Sequence, residues 1–344
     1  MVSRRGLGSL ATLAIATIAA PSLSAPAQVE RPRVSIAVGG KGALHNLPLT
    51  VAHQLGFFAD EGLSVVLDDQ GTGPLALQAM LRGTADVCSS AFEQTILQQA
   101  EGRFIQAFVM QGRAPQIALG VSNKTLPGFK TLSDLKGKRI GVTALGSSTY
   151  MVASLALARA GLSNADVSYL GVGTANGAID ALRDGLVDAV CNTDPVMTVL
   201  EQKGDVRIVL DTRTLKGTTQ VFGGLMPASC LIAQTVFLTK NPAIAQALAN
   251  GIVRGLKWLQ FAGPSDLIRT VPDSYLMGDR ALYLASFNKV REALSPDGVM
   301  SEEGPKVALR VMAGFDASVK PEKIALARTY TNDFARKAKE KFKA

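Results

Sequence analysis

The sequence predicts an α/β fold of two lobes, each a mostly parallel sheet flanked by helices, with a helical C-terminal region. Three observations carry that expectation. Short apolar runs alternate with segments of helical periodicity from residue 33 to about residue 233, the pattern of strands covered by crossover helices. Residues 71–86 recur without a gap as residues 173–188, pairing Gly71 with Gly173, Thr72 with Thr174, Ala76 with Ala178, Gly83 with Gly185 and Asp86 with Asp188. From Asn241 onward the pattern is helical and has no counterpart in the repeat.

Taken in order, residues 33–38 read as a strand through Val34, Ile36 and Val38. A glycine-rich turn over 39–46 follows, and a helix opens near Pro48, where a missing N–H falls among the orphan donors of a first turn. The next strand is 64–67. Each repeat copy is a small-residue turn, a helix, a terminal glycine and a buried strand: Leu77, Met80 and Leu81 then Val87 and Cys88, or Ile179 and Leu182 then Ala189 and Val190. A helix around 95–99 and strands at 104–110 and 117–121 complete the first lobe. Residues 123–131 make a boundary loop. A strand at 139–143, a helix at 150–161 and a strand at 167–172 replay the first lobe's order, and 220–233 is the return passage. The tail offers helices at 242–261, 279–294, 301–314 and 322–342, expected to pack largely on the first lobe.

The chain of 344 residues is long enough for two cores, and 47% hydrophobic with 19% charged residues is a globular composition. Residues 1–27 have the layout of a signal peptide: Arg4 and Arg5, an apolar run over 10–20, and Ala25, Pro26 and Ala27 at the cleavage region. That run is too short to span a bilayer. Ser3 to Leu7 approximate a twin-arginine signal, so the general secretory and twin-arginine routes both fit. A free, soluble chain outside the cytoplasm is expected. The formal charge of +8 suits small anions, nucleic acid or a membrane surface, but the leader and the lack of a DNA-binding module argue against nucleic acid. Cys88, Cys191 and Cys230 stand in apolar strand-like surroundings, so buried free thiols are expected, with no metal site and no cofactor.

An open parallel sheet takes its ligand beyond the carboxyl ends of its strands, near helix N-termini. That logic selects four stretches. The turn after the first strand offers His45 and Asn46, with His45 placed to donate a hydrogen bond. The turn after the repeat strand offers Ser89, Ser90 and Phe92 in the first lobe and Asn192 and Asp194 in the second. Ser147, Ser148 and Thr149 open the 150–161 helix, where they either cap it at about 1 kcal/mol or receive an anion on its exposed N–H groups. Asp194 either meets a ligand amine or starts the turn at Pro195. No catalytic cluster is expected from two separated histidines and three apolar cysteines.

Leu55, Gly56, Phe57, Phe58, Ala59, Asp60, Glu61, Gly62 and Leu63 resemble the "GFF..EGL" segment of ABC-transporter solute-binding proteins of the nitrate, sulfonate and taurine group, which includes thiamine-pyrimidine precursor binders. The run Asp134, Leu135, Lys136, Gly137, Lys138, Arg139, Ile140, Gly141 and Val142, followed by Gly146 and Ser147, is similar to that group's second-lobe signature. Ala181, Leu182, Gly185, Asp188, Ala189 and the Asp194–Pro195 pair fit it too, so the likeness spans about 34–261. The resemblance implies the two-lobed type II periplasmic-binding-protein fold with two crossovers: residues 33–118 and 227–344 form lobe 1, residues 119–226 lobe 2. It implies a monomeric periplasmic receptor that captures a small anionic solute, such as a sulfonate, nitrate or an aromatic carboxylate, and hands it to an ABC permease of the inner membrane. An enzyme or sensor-linked receptor on the same scaffold, acting on a pyrimidine-like solute, is the alternative.

Overall fold

The computed structural model describes residues 32–344, and the signal peptide expected over 1–27 lies outside the described residues. The chain runs β1 (Arg33–Val38), α1 (Leu47–Gln54), α2 (Phe57–Asp60), β2 (Ser64–Asp69), α3 (Gly73–Leu81), β3 (Val87–Ala91), α4 (Glu93–Ala100) and β4 (Ile105–Met110). It continues with β5 (Ile117–Ser122), β6 (Arg139–Val142), α5 (Ser148–Arg159), β7 (Ser168–Gly171), α6 (Asn176–Arg183), β8 (Ala189–Thr193), α7 (Val196–Gln202), β9 (Val206–Asp211) and α8 (Leu215–Phe222). The last part is β10 (Ser229–Gln234), α9 (Thr235–Lys240), α10 (Pro242–Phe261), α11 (Pro264–Thr270), α12 (Arg280–Val290), α13 (Glu303–Phe315) and α14 (Asp333–Phe342).

Two five-stranded sheets result, ordered β2-β1-β3-β10-β4 and β7-β6-β8-β5-β9. Their plans are the same. In each, three strands pair in parallel, and the fourth, β10 or β5, runs antiparallel to both its neighbours. The expected alternation is therefore present as mixed sheets. Residues 117–121, read from sequence as the end of the first lobe, pair instead with β8 and β9 in the second sheet. An apolar run of this kind fits the centre of either sheet, so its composition does not tell which one it joins.

The repeat has a physical reason in each copy. Asp86 accepts the backbone N–H and hydroxyl of Ser35 (both 2.8 Å), and its own N–H donates to the Ser35 carbonyl. Asp188 does the same to Arg139, accepting its N–H at 3.0 Å and a bidentate guanidinium at 3.0 and 2.9 Å. Each aspartate thus ties the loop before β3 or β8 to the start of the neighbouring strand.

The C-terminal helices do not all stay on the first sheet. α10 packs on α1, α2, α14 and β4. Its glycines permit this: a methyl group on Gly251 would lie 2.4 Å from Phe58 Cδ1, and one on Gly255 would lie 2.7 Å from the Pro48 carbonyl. Such contacts offset the roughly 1 kcal/mol that a glycine costs inside a helix. α12, however, packs on α7, and α13 touches both α4 and α5, so these two straddle the lobes. The single helix expected at 322–342 is α14 alone. Residues 321–323 and 326–328 form short 3-10 turns, the first opened by Pro321, and residues 329–331 run as a strap that exchanges backbone hydrogen bonds with Ala107 on β4.

Candidate functional site

The carboxyl ends of β1, β3, β6 and β8 converge on one buried space between the sheets, a cavity of about 70 Å³. Four hydrogen bonds close the lobes over it. Leu44 N–H donates to the Asp194 carbonyl at 3.0 Å, Thr174 Oγ1 to the Gly71 carbonyl at 3.2 Å, Gln94 Nε2 to the Gly146 carbonyl at 3.4 Å, and Ser148 Oγ to Glu93 Oε1.

The first lobe's wall is a relay that fixes one histidine. Gln111 Oε1 accepts the Leu49 N–H at 3.2 Å, so its Nε2 is the group donating to Ser89 Oγ (2.8 Å) and Ser229 Oγ (3.1 Å). Ser89 then donates to Asn46 Oδ1 at 2.7 Å. Asn46 Nδ2 donates to the Gly40 carbonyl at 3.0 Å, and its other proton faces His45 Nε2 at 3.2 Å. A nitrogen that accepts leaves the proton of a neutral ring on the other nitrogen. His45 is neutral, because burial holds it down to about 4. Its Nδ1–H is therefore a donor buried without a protein partner, on a residue that lines the cavity.

The second lobe contributes the first turn of α5. Ser147 caps it, accepting the Tyr150 N–H at 3.3 Å while donating to the Ala144 carbonyl at 2.6 Å. Thr149 Oγ1 sits between Ser147 Oγ (2.8 Å) and Thr143 Oγ1 (2.9 Å). These hydroxyls are thus occupied in bracing the turn, and what the helix end offers a solute is its first-turn N–H groups and positive dipole. Thr193 also lines the space, and its Oγ1 is buried and unpartnered. Met226, Met151 and Ile117 supply apolar wall. Among the described residues that line the cavity there is no lysine or arginine.

His45, Ser89, Ser90, Ser147, Ser148 and Thr149 all line this cavity. The other four residues selected from sequence do not. Asn46 stands behind His45 and orients it. Phe92 is fully buried, edge-on to Tyr330, as an apolar ring under a strand end usually is. Asn192 braces the turn, donating to the Gly173 carbonyl at 2.9 Å and accepting the Thr193 N–H at 2.8 Å. Asp194 is turned away from the cavity, accepting the Thr198 N–H at 2.7 Å and facing the buried Arg213 at 3.7 Å. Burial raises its carboxyl, and Arg213 opposes that. Arg213 is shared with Asp211 (2.6 Å) and Glu201 (3.0 Å), and Lys289 of α12 joins Glu201 at 2.6 Å.

Sequence reasoning missed Glu93. It is the first residue of α4, buried at the cavity wall, and burial pushes its carboxyl above the usual range against the opposing pull of Ser148 and its own N–H. Its signal was position: an acid directly after a strand-end turn, opening a helix otherwise built of uncharged residues, Gln, Thr, Ile, Leu and Ala. The three cysteines are free and buried, and burial raises their thiols. Among the described residues no cluster of three or more His, Cys, Asp or Glu is placed to hold a metal, and no helix is long and apolar enough to cross a membrane.

Comparison with known proteins agrees with this architecture. A solved protein of Bordetella bronchiseptica RB50 is 51% identical, superposes with a TM-score of 0.89, and is matched over 91% of this chain and 99% of that one. The alkanesulfonate-binding protein SsuA of Xanthomonas axonopodis pv. citri, bound to MOPS, shares the fold at 20% identity, with a TM-score of 0.68 over 89% of this chain and 100% of its own. The periplasmic nitrate-binding protein NrtA of Synechocystis PCC 6803 shares it at 13% identity, with a TM-score of 0.68 over 91% and 89%. The family model described as NMT1/THI5 like matches residues 45–264, and with that match covering well over half of its length, the chain belongs to the NMT1/THI5-like family.

Proposed function

We propose that the chain is the periplasmic substrate-binding component of an ABC importer, capturing a small anionic solute between its lobes without turnover and presenting it to an inner-membrane permease. The observation that carries this reading is the meeting of two unlike donors at one enclosed space: the His45 Nδ1–H from the first lobe and the first turn of α5 from the second. A solute that bonds both is worth more to the closed arrangement than to an open one, and that difference is what shifts a two-lobed protein toward closure. Oxyanions suit such donors, since a helix N-terminus favours negative charge and a neutral N–H needs an acceptor. The cavity supports the smaller end of the range. At about 70 Å³ it has roughly half of the ~150 Å³ that an engineered apolar cavity uses to hold benzene, which favours nitrate or a short sulfonate over an aromatic carboxylate.

A thermal-shift screen of the refolded, ligand-free chain tests this against nitrate, methanesulfonate, taurine, benzoate and an aminopyrimidine. A solute at about 100 times its Kd adds ~2.7 kcal/mol, a rise of several degrees in Tm. A response confined to small oxyanions is expected. If no anion moves the transition while the aminopyrimidine does, the anion reading fails.

A further inference from the structure

Glu93 is a carboxyl on the wall of a cavity proposed to take anions. It reaches across the cleft to accept the Ser148 hydroxyl, so it stands directly beside the first turn of α5. Among the described residues no formal cation lines the cavity beside it. Within the cavity wall the other titratable group is His45, which burial keeps neutral and Asn46 orients. Behind it on β10 lies Cys230, a buried thiol. α13 packs on α4, but Lys306 of that helix pairs with Glu303 and Arg310 donates to the Phe222 carbonyl. The fully buried guanidinium of the second lobe, Arg213, is shared among Asp194, Asp211 and Glu201. An oxyanion seated on the α5 turn would therefore face a carboxylate within a few ångströms in a site of low dielectric, and two like charges so placed do not both ionise.

We propose that Glu93 takes part in solute binding as a neutral carboxylic acid, its hydroxyl donating to an oxygen of the solute, so that an anion enters the cleft together with one proton. This rests on the capture of an anion proposed above. It assigns Glu93 the same job as the His45 Nδ1–H, also of the first lobe and opposite the α5 turn: a donor without charge. Ser148 holds the other carboxyl oxygen and so fixes which one is protonated. The pairing rejects solutes whose only polar groups are donors, because both walls then present donors to donors.

The test uses the full chain with sodium nitrate and sodium methanesulfonate as probes. Infrared difference spectra of bound minus free protein are expected to show a protonated carboxyl stretch that E93Q lacks. Glu93→Gln, which keeps a donor at that place and removes the titration, is expected to hold affinity within about threefold. Glu93→Leu is expected to lose tenfold or more. Wild-type affinity is expected to fall as the pH rises through the Glu93 pKa, and that of E93Q to stay flat over the same range. A carboxylate band in the bound protein, or affinity that rises with pH and is lost in E93Q, overturns the proposal and makes Glu93 the acceptor for a donor-bearing solute. If neither probe binds the wild-type chain but another solute does, the anion reading itself fails, a result distinct from binding with Glu93 ionised.

Discussion

Thr174 of the second lobe sits directly over Gly40 of the first: a methyl group on Gly40 would meet Thr174 Oγ1 at 2.4 Å. Thr174 also donates to the Gly71 carbonyl. Since Thr174 pairs with Thr72, and Gly71 with Gly173, in the internal repeat, the two copies touch each other at the same turn when the lobes close. Gly40 adopts φ of +90°, a backbone that suits glycine, so a side chain there is strained as well as obstructive. Gly40→Ala is therefore expected to hold the lobes apart. Small-angle scattering should show a larger radius of gyration with solute present, and affinity should fall tenfold or more; a variant that closes and binds normally would show the contact to be dispensable.

Asn46 positions His45 without touching the cavity. Asn46→Ala removes the group that makes Nε2 an acceptor and leaves Ser89 without its partner. Nitrogen-15 NMR of the wild-type ring should report a proton on Nδ1, and the variant should lose that preference. Affinity should drop about tenfold, the loss of roughly one buried hydrogen bond. An unchanged ring tautomer with lost affinity would separate the two effects.

Acid stability should depend on Asp188 and His45. Burial works against ionisation of Asp188, but the Arg139 side chain and N–H outweigh it and hold the carboxyl below its usual range. Such a group stabilises the fold above its unfolded pKa, and the contribution is lost as pH falls through its lowered folded pKa. His45 acts over a higher window. Held down to about 4 from 6.5, it resists the proton that the unfolded chain accepts, so stability falls as pH drops from 6.5 toward 4. In urea unfolding, Asp188→Asn is expected to cost about 2 kcal/mol at pH 7 and less at pH 3. His45→Gln should flatten the profile between pH 4 and 6.5 by on the order of 1 kcal/mol, its ring being partly exposed to the cavity.

Arg213→Met should be the most damaging change at a distance from the cavity. It strands Asp194, which is fully buried, and leaves Asp211 and Glu201 without their shared cation. Breaking a buried pair from one side costs about 3–5 kcal/mol. Adding Asp194→Asn should return part of that loss in chemical denaturation; a double variant as unstable as the single one would show that Asp194 is not the stranded charge.

Much of this was legible in the chain because it depends on local pattern. The repeat located both α3–β3 and α6–β8, and strand ends followed by small polar residues located four of the stretches around the cavity. What was not legible depends on where elements meet. Phe92 and Asp194 occupy equivalent post-strand turns, yet tertiary packing sends one against Tyr330, on a distant stretch of chain, and the other to Arg213, just past β9. Glu93 escaped notice for the same reason: only the approach of α5 makes an acid at the start of α4 part of the cavity wall. β5 shows the limit most directly, since its sequence suits either sheet and only the pairing partner decides.

The second sheet is built wholly from β5 to β9, whereas the first is completed by β10 after the chain has returned. The two crossings run side by side, with the Ala228 N–H donating to the Gly112 carbonyl at 3.0 Å. The second lobe is therefore a cassette, spliced into the first at two points within one hydrogen bond of each other. Recombination between relatives at those points would exchange the α5 half of the cavity wall and leave the His45 half in place, without rebuilding the host lobe.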